Sequence, residues 1–120
     1  MSAQSLYSLT QRLVKDDINT VTLSGTLVSE VETSNSRDLV AKRFLLAVAG
    51  AGEAASTGIF KAVAFGEKAG EVEDLHQGDR VILLGAIRRR AAALDGHSVE
   101  IHLRTLIRMR PELLEHAAQE

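Results

Sequence analysis

The stretch "VEIHLRTLIRMR" at residues 99–110 alternates along its whole length: Val99, Ile101, Leu103, Thr105, Ile107 and Met109 stand against Glu100, His102, Arg104, Leu106, Arg108 and Arg110. Side chains of a strand point to opposite faces in turn, so this pattern reads as a β-strand with one apolar face, and a helix of period 3.6 would scatter it. Such a strand needs hydrogen-bonding neighbours, and four other stretches of the chain can supply them.

The first, "VTLSGTL" at residues 21–27, sets Val21, Leu23 and Leu27 against Thr22, Ser24 and Thr26, with Gly25 where a bulge or tight coil would be needed. The second, at residues 42–49, places Phe44, Leu46 and Val48 on one face and opens with Lys42 and Arg43. The third, "IFKAVAF" at residues 59–65, puts Ile59, Lys61, Val63 and Phe65 on one face and Phe60, Ala62 and Ala64 on the other. The fourth, "VILLGAI" at residues 81–87, carries a second mid-strand glycine, Gly85, and runs into Arg88, Arg89 and Arg90.

The connections have their own signals. Residues 29–38, "SEVETSNSRD", are polar and bond readily to their own backbone, which predicts the outer part of a hairpin or a long loop. Gly66 stops the third strand, and "EKAGEVEDLHQG" predicts a short helix ended by Gly78 at a C-cap. Asp95 and Gly96 signal a hairpin, and Pro111 ends the sheet. Leu6, Leu9 and Leu13 lie at helical spacing, so residues 1–18 form an extension that is either a short helix or a frayed tail. Residues 19–110 are the domain, and residues 111–120 a short helix or tail.

Strand, strand, strand, helix, strand, strand is an order satisfied by an all-β architecture, the five-stranded Greek-key barrel called the OB-fold, with its short helix between strands three and four. Other small α+β folds satisfy the order as well. At 120 residues one domain is expected.

Composition narrows the function classes. The chain has no cysteine, which excludes disulfides and thiolate metal sites, and its four histidines, His76, His97, His102 and His116, show no close ligand spacing. No nucleotide-binding glycine loop, nucleophile elbow or His-Glu helix motif is present, so a non-enzyme without cofactor or metal is expected. The N-terminal residues lack a signal-peptide pattern and no apolar run approaches the ~20 residues of a membrane span, which predicts a cytoplasmic protein without a membrane partner. Net charge is −2, but residues 40–110 hold eleven basic against eight acidic side chains. A mild excess of this kind is compatible with a nucleic-acid partner and does not establish one.

The order of three segments carries a resemblance. "NTVTLSGTLVSEV" is similar to the opening strand of bacterial single-stranded DNA-binding proteins, and "IFKAVAFGEKAGEVEDLHQGDRVILLGAIRRR" resembles their third strand, helix and fourth strand. The most specific pieces are "AFGEKAGEV" and "GDRVILLGAIRRR", and the likeness extends roughly from Asn19 to Met109. It implies an OB-fold that associates as a homodimer or homotetramer and coats single-stranded DNA without sequence preference, with RNA left open, in replication, recombination or repair. Lys61 takes the place of that family's basic residue on the third strand, Phe65 that of its stacking phenylalanine, and Arg88, Arg89 and Arg90 that of its basic exit from the fourth strand. Lys42, Arg43, Ile59, His102 and Arg104 complete the candidate nucleic-acid-binding set.

Two departures qualify what the resemblance implies. Ile59 stands where the family commonly has tryptophan, and the whole chain has no tryptophan, one tyrosine and three phenylalanines. Base stacking contributes about 1–3 kcal/mol per ring, so losing two or three platforms weakens binding roughly a hundredfold or more and shifts the load to salt-sensitive phosphate contacts. The final segment "PELLEHAAQE" lacks the family's acidic recruiting tip, which predicts no recruitment of partner proteins by that route. The competing reading is an oligomeric protein-interaction module that kept the barrel after losing its stacking residues. Phe44 and Phe60 are expected in the core; Phe65 is either core or platform, a choice that a one-residue slip would invert.

Overall fold

The computed structural model describes residues 17–36, 38–89 and 99–109. Six strands follow one another: β1 (Val21–Leu27), β2 (Glu32–Ser36), β3 (Leu39–Val48), β4 (Gly58–Phe65), β5 (Arg80–Arg89) and β6 (Val99–Arg108). Two 3₁₀ segments, Glu53–Ala55 and Gly66–Val72, lie on either side of β4.

The hydrogen-bonded order is β1-β5-β6-β4-β3, and β1 returns to β3 through the pairs Thr26↔Ala47 and Leu27↔Leu46. Five strands therefore close on themselves, as the OB-fold expectation requires, with β4 and β6 parallel and the other neighbours antiparallel. Closure brings backbones very close at the two mid-strand glycines. A Cβ on Gly25 would strike the Ala47 carbonyl oxygen and lie 2.9 Å from Leu46 Cγ; one on Gly85 would strike the His102 carbonyl oxygen. Only a residue without a side chain fits either crossing.

Inside the barrel, Leu27, Phe44, Leu46, Ala62, Ala64, Val81, Leu83, Ile101 and Leu103 form a single buried cluster. Phe60 packs against it from the same face of β4, so both expected core phenylalanines lie where the alternation put them. Val72 and Leu75, from the segment that follows β4, join the cluster, each removing an apolar side chain from water for roughly 1.5–3 kcal/mol.

Three local expectations are corrected. Residues 29–38 take the hairpin of their two expected forms, β2 pairing with β3 from Glu32↔Arg43 to Ser36↔Leu39, so β3 begins at Leu39 rather than Lys42. β2 has no apolar face, so its pairing rests on backbone hydrogen bonds that leave no periodic trace. The expected short helix after β4 is present as a 3₁₀ segment, and its buried residues Ala69 and Val72, with Leu75 beyond, recur every third residue, matching three residues per turn. Gly78 is not a helix cap; it sits at φ +97° in the turn into β5, and its N–H donates to the Leu27 carbonyl at 2.8 Å. Finally, β6 does not keep one face throughout. Leu84 pairs with Thr105 and Gly85 with Leu103, so Arg104 is the extra residue of a bulge. Beyond it the faces exchange: Leu106 packs on the core and Ile107 is half exposed.

The expected helix in residues 1–18 falls largely outside the described residues. So do the turn at Asp95 and Gly96, Arg90, and the segment from Arg110 onward. Among the described residues no helix is long and apolar enough to cross a membrane.

Candidate nucleic-acid interface

The outward side of β3, β4, β6 and β5 collects most of the candidate residues. On β4, Lys61, Val63 and Phe65 point away from the core formed by Phe60, Ala62 and Ala64, because neighbouring residues of a strand face opposite ways. Across the sheet, Val63 pairs with Arg43 of β3 and with His102 of β6, while Lys61 pairs with Glu100. Glu100 in turn pairs with Arg88 of β5. Four strands thereby bring Arg43, Lys61, Phe65, Arg88, Glu100 and His102 onto one surface.

At its centre is a carboxylate that is almost wholly buried. Glu100 retains 4% of its exposure, and its Oε2 accepts a hydrogen bond from Arg43 Nε at 3.1 Å. Its Oε1 lies 3.7 Å from His102 Nε2. The His102 ring meets Phe65 edge to face with centroids 5.0 Å apart, and the Arg43 guanidinium carbon lies 5.9 Å from the Phe65 centroid. Arg43 Nη1 also donates to Ser34 Oγ on β2 at 3.2 Å. Burial pulls the His102 imidazole below its ordinary value of 6.5; Glu100 opposes that shift, and the cations Arg88 and Arg43 reinforce it.

Beside this cluster an open cavity of about 170 Å³ is lined by Ser29, Glu32, Arg43, Lys61 and Glu100, among others. The face as a whole offers the permanent cations Arg43, Lys61 and Arg88 against the carboxylates Glu32 and Glu100. A surface with a small positive excess and a half-buried aromatic ring suits a polyanion that also carries flat groups.

Other expected residues lie elsewhere. Lys42 pairs with Ala64 and shares the alternate face of β3 with Phe44, so it does not join Arg43. Arg89, next to Arg88 on an extended strand, faces the opposite way and pairs with Val99. Arg104, at the bulge, reaches across to the start of β1, where its Nη1 donates to Thr20 Oγ1 at 3.3 Å. Ile59 is 61% exposed at the far end of the β4 surface, two residues from Lys61. Phe65 is half-buried on the outer surface and is not part of the core cluster.

Two members of the cluster, Glu100 and Ser34, had no sequence signal as site residues. Glu100 stands in line with His102 on the polar side of the 99–110 alternation, but nothing in the sequence pairs it with Arg43, 57 residues away. Among the described residues no group of three or more His, Asp or Glu side chains could hold a metal ion.

The barrel has counterparts of known structure. It is similar to the SSB domain of a Synechococcus protein, with a TM-score of 0.63 and 20% identity over 78% of this chain and 99% of that one. The N-terminal domain of PriB from Thermoanaerobacter tencongensis, described as dimeric, gives 0.60 and 20% over 77% and 97%. The second single-stranded DNA-binding protein, SSBb, of Mycobacterium smegmatis gives 0.61 and 18% over 81% and 91%. No family model matches the sequence, and no curated protein matches it. At such identities the likeness establishes a shared OB-fold.

Proposed function

We propose that this protein binds single-stranded DNA without sequence preference through the outer face of β3, β4, β5 and β6, acting as a passive strand-coating protein rather than an enzyme. The observation that carries the reading is the placement of Lys61, Arg88 and Arg43 on the same barrel surface as Phe65, with Arg43 in contact with its ring. Cations spaced along a face can follow a phosphate backbone, and a partly exposed ring gives bases a surface to stack on. The fold shared with SSB domains supports the same reading. A role in replication, recombination or repair, and assembly as a homodimer or homotetramer, belong to the proposal. Sedimentation of the full chain measures the assembly.

The test is fluorescence anisotropy with a labelled oligothymidine of about 35 nucleotides at low and moderate salt, beside the triple change Arg88→Ala, Arg89→Ala, Arg90→Ala. Saturable binding that weakens steeply with salt and is largely lost in the triple variant supports the proposal. Absence of saturable binding at low salt overturns it and leaves a barrel whose partner is another protein.

A further inference from the structure

The Arg43 guanidinium is fixed by hydrogen bonds from its edge. Nε donates to buried Glu100, Nη1 donates to Ser34 Oγ, and the guanidinium carbon lies within cation–π range of the Phe65 ring. Phe65 in turn leans edge to face on His102, which also approaches Glu100. One carboxylate, with 6% of its side chain exposed, thus holds the edge of Arg43 and approaches His102, and both of these meet the Phe65 ring, Arg43 over its face and His102 edge to face.

This arrangement does little obvious work for stability. Burying a carboxylate is costly even when it is paired, and the gain from one partly exposed arginine only offsets that cost. Its effect on Arg43 is different in kind. Arginine loses substantial rotamer freedom when ordered, and a guanidinium already ordered along its edge presents a planar face at no further entropic cost. A guanidinium plane stacks on nucleobases much as an aromatic ring does.

We propose that Arg43, Phe65 and His102 form one composite stacking platform for the bases of a single strand, and that Glu100 is its positioning residue. The inference rests on the nucleic-acid reading above and deepens it, because it names what stands in for aromatic rings in a chain with no tryptophan and only three phenylalanines. Phosphate contact is left to Lys61 and Arg88. Arg43 contributes shape as well as charge, and Glu100 strengthens binding although it carries the charge of the ligand.

The experiment compares the full-length protein with Arg43→Lys and Glu100→Gln, using an oligothymidine and an abasic strand of equal length at two salt concentrations. With stacking in play, the unchanged protein binds the oligothymidine roughly tenfold more tightly than the abasic strand. Arg43→Lys keeps the charge and the salt slope, loses about three- to tenfold on oligothymidine, and binds the abasic strand as before. Glu100→Gln, despite removing a negative charge, weakens oligothymidine binding about threefold or more. Unchanged oligothymidine binding by Arg43→Lys, or equal or tighter binding by Glu100→Gln, overturns the platform. So does equal binding of both strands by the unchanged protein, which leaves the strand-coating reading intact. Failure of the unchanged protein to bind either strand refutes that underlying reading instead. Should Glu100→Gln fail to fold by circular dichroism, Arg43→Lys at its more exposed position decides the matter.

Discussion

Asn19 pairs with Ile87 as though it were one more residue of a strand. Its Nδ2 donates to the Ile87 carbonyl at 2.7 Å and its Oδ1 accepts from the Ile87 N–H at 2.9 Å. The β1–β5 ladder ends in the backbone at Val21↔Gly85, so a side-chain amide prolongs it to the residue before Arg88. Asn19→Ala removes both bonds at a partly solvated site and is expected to cost about 1–2 kcal/mol. Asn19→Asp keeps the acceptor but sets a carboxylate oxygen against the Ile87 carbonyl, and should cost no less than alanine. Urea denaturation of the three proteins measures this; an alanine variant as stable as the parent would show that the amide pairing is dispensable.

The closing glycine Gly85 should be far less replaceable than Gly70. A methyl group at Gly85 meets the His102 backbone, which cannot move without opening the β5–β6 ladder. Gly85→Ala is therefore expected to destabilise by roughly 1–3 kcal/mol or more, as overpacking does. At Gly70 a Cβ meets nothing within 4 Å, and the φ is not in the left-handed region. Gly70→Ala should be neutral or stabilising by about 0.4–1 kcal/mol through loss of unfolded-state freedom. Thermal melts of the two variants should move in opposite directions.

That contrast shows how far the fold was legible before the structure. Gly25 stands inside an apolar alternation and Gly85 inside a continuous apolar run, where a residue with no side chain to pack is conspicuous, and the alternations of three other strands set Phe44 with Leu46, Ala62 with Ala64, and Ile101 with Leu103 on faces that the barrel buries. What alternation cannot show is anything decided by a partner strand. The bulge at Arg104 arises from pairing with β5 and exchanges the faces of the last residues of β6. β2 is polar and pairs through its backbone, so its sequence left a hairpin and a long loop undecided. The site divides in the same way. Lys61 and Phe65 could be placed together because they lie four apart on one strand. Glu100 at the edge of Arg43 depends on the parallel register of β4 with β6, which no local pattern encodes.

Stability should fall on mild acidification because of His102. Burial holds its pKa below 6.5 in the folded protein, while the unfolded chain titrates near 6.5. Above that pH both states are neutral at this position and its contribution is complete. As pH falls through 6.5 toward the folded value, the unfolded state takes up the proton first, and stability is lost across that window. His102→Gln should shrink the difference in unfolding free energy between pH 7.5 and a pH about 1.5 units lower, measured by urea denaturation. An unchanged difference would assign the pH dependence to other groups.

Lys42 and Lys61 carry the same charge on opposite faces of adjacent strands, which lets one pair of substitutions test the face itself. Lys61 lies on the surface with Phe65 and Arg88, whereas Lys42 shares the alternate side of β3 with Phe44. Each phosphate neutralised by a cation adds about 0.7 to the slope of log affinity against log salt for a single strand. Lys61→Ala is expected to weaken oligothymidine binding at low salt and to reduce that slope by about 0.7, uniformly across base sequences. Lys42→Ala should leave the slope unchanged, since long-range attraction alone is screened within about 10 Å at 0.1 M salt. If the two variants lose equal slope, the strand does not follow the β4 face, and the assignment of phosphate contacts to one side of the barrel is wrong.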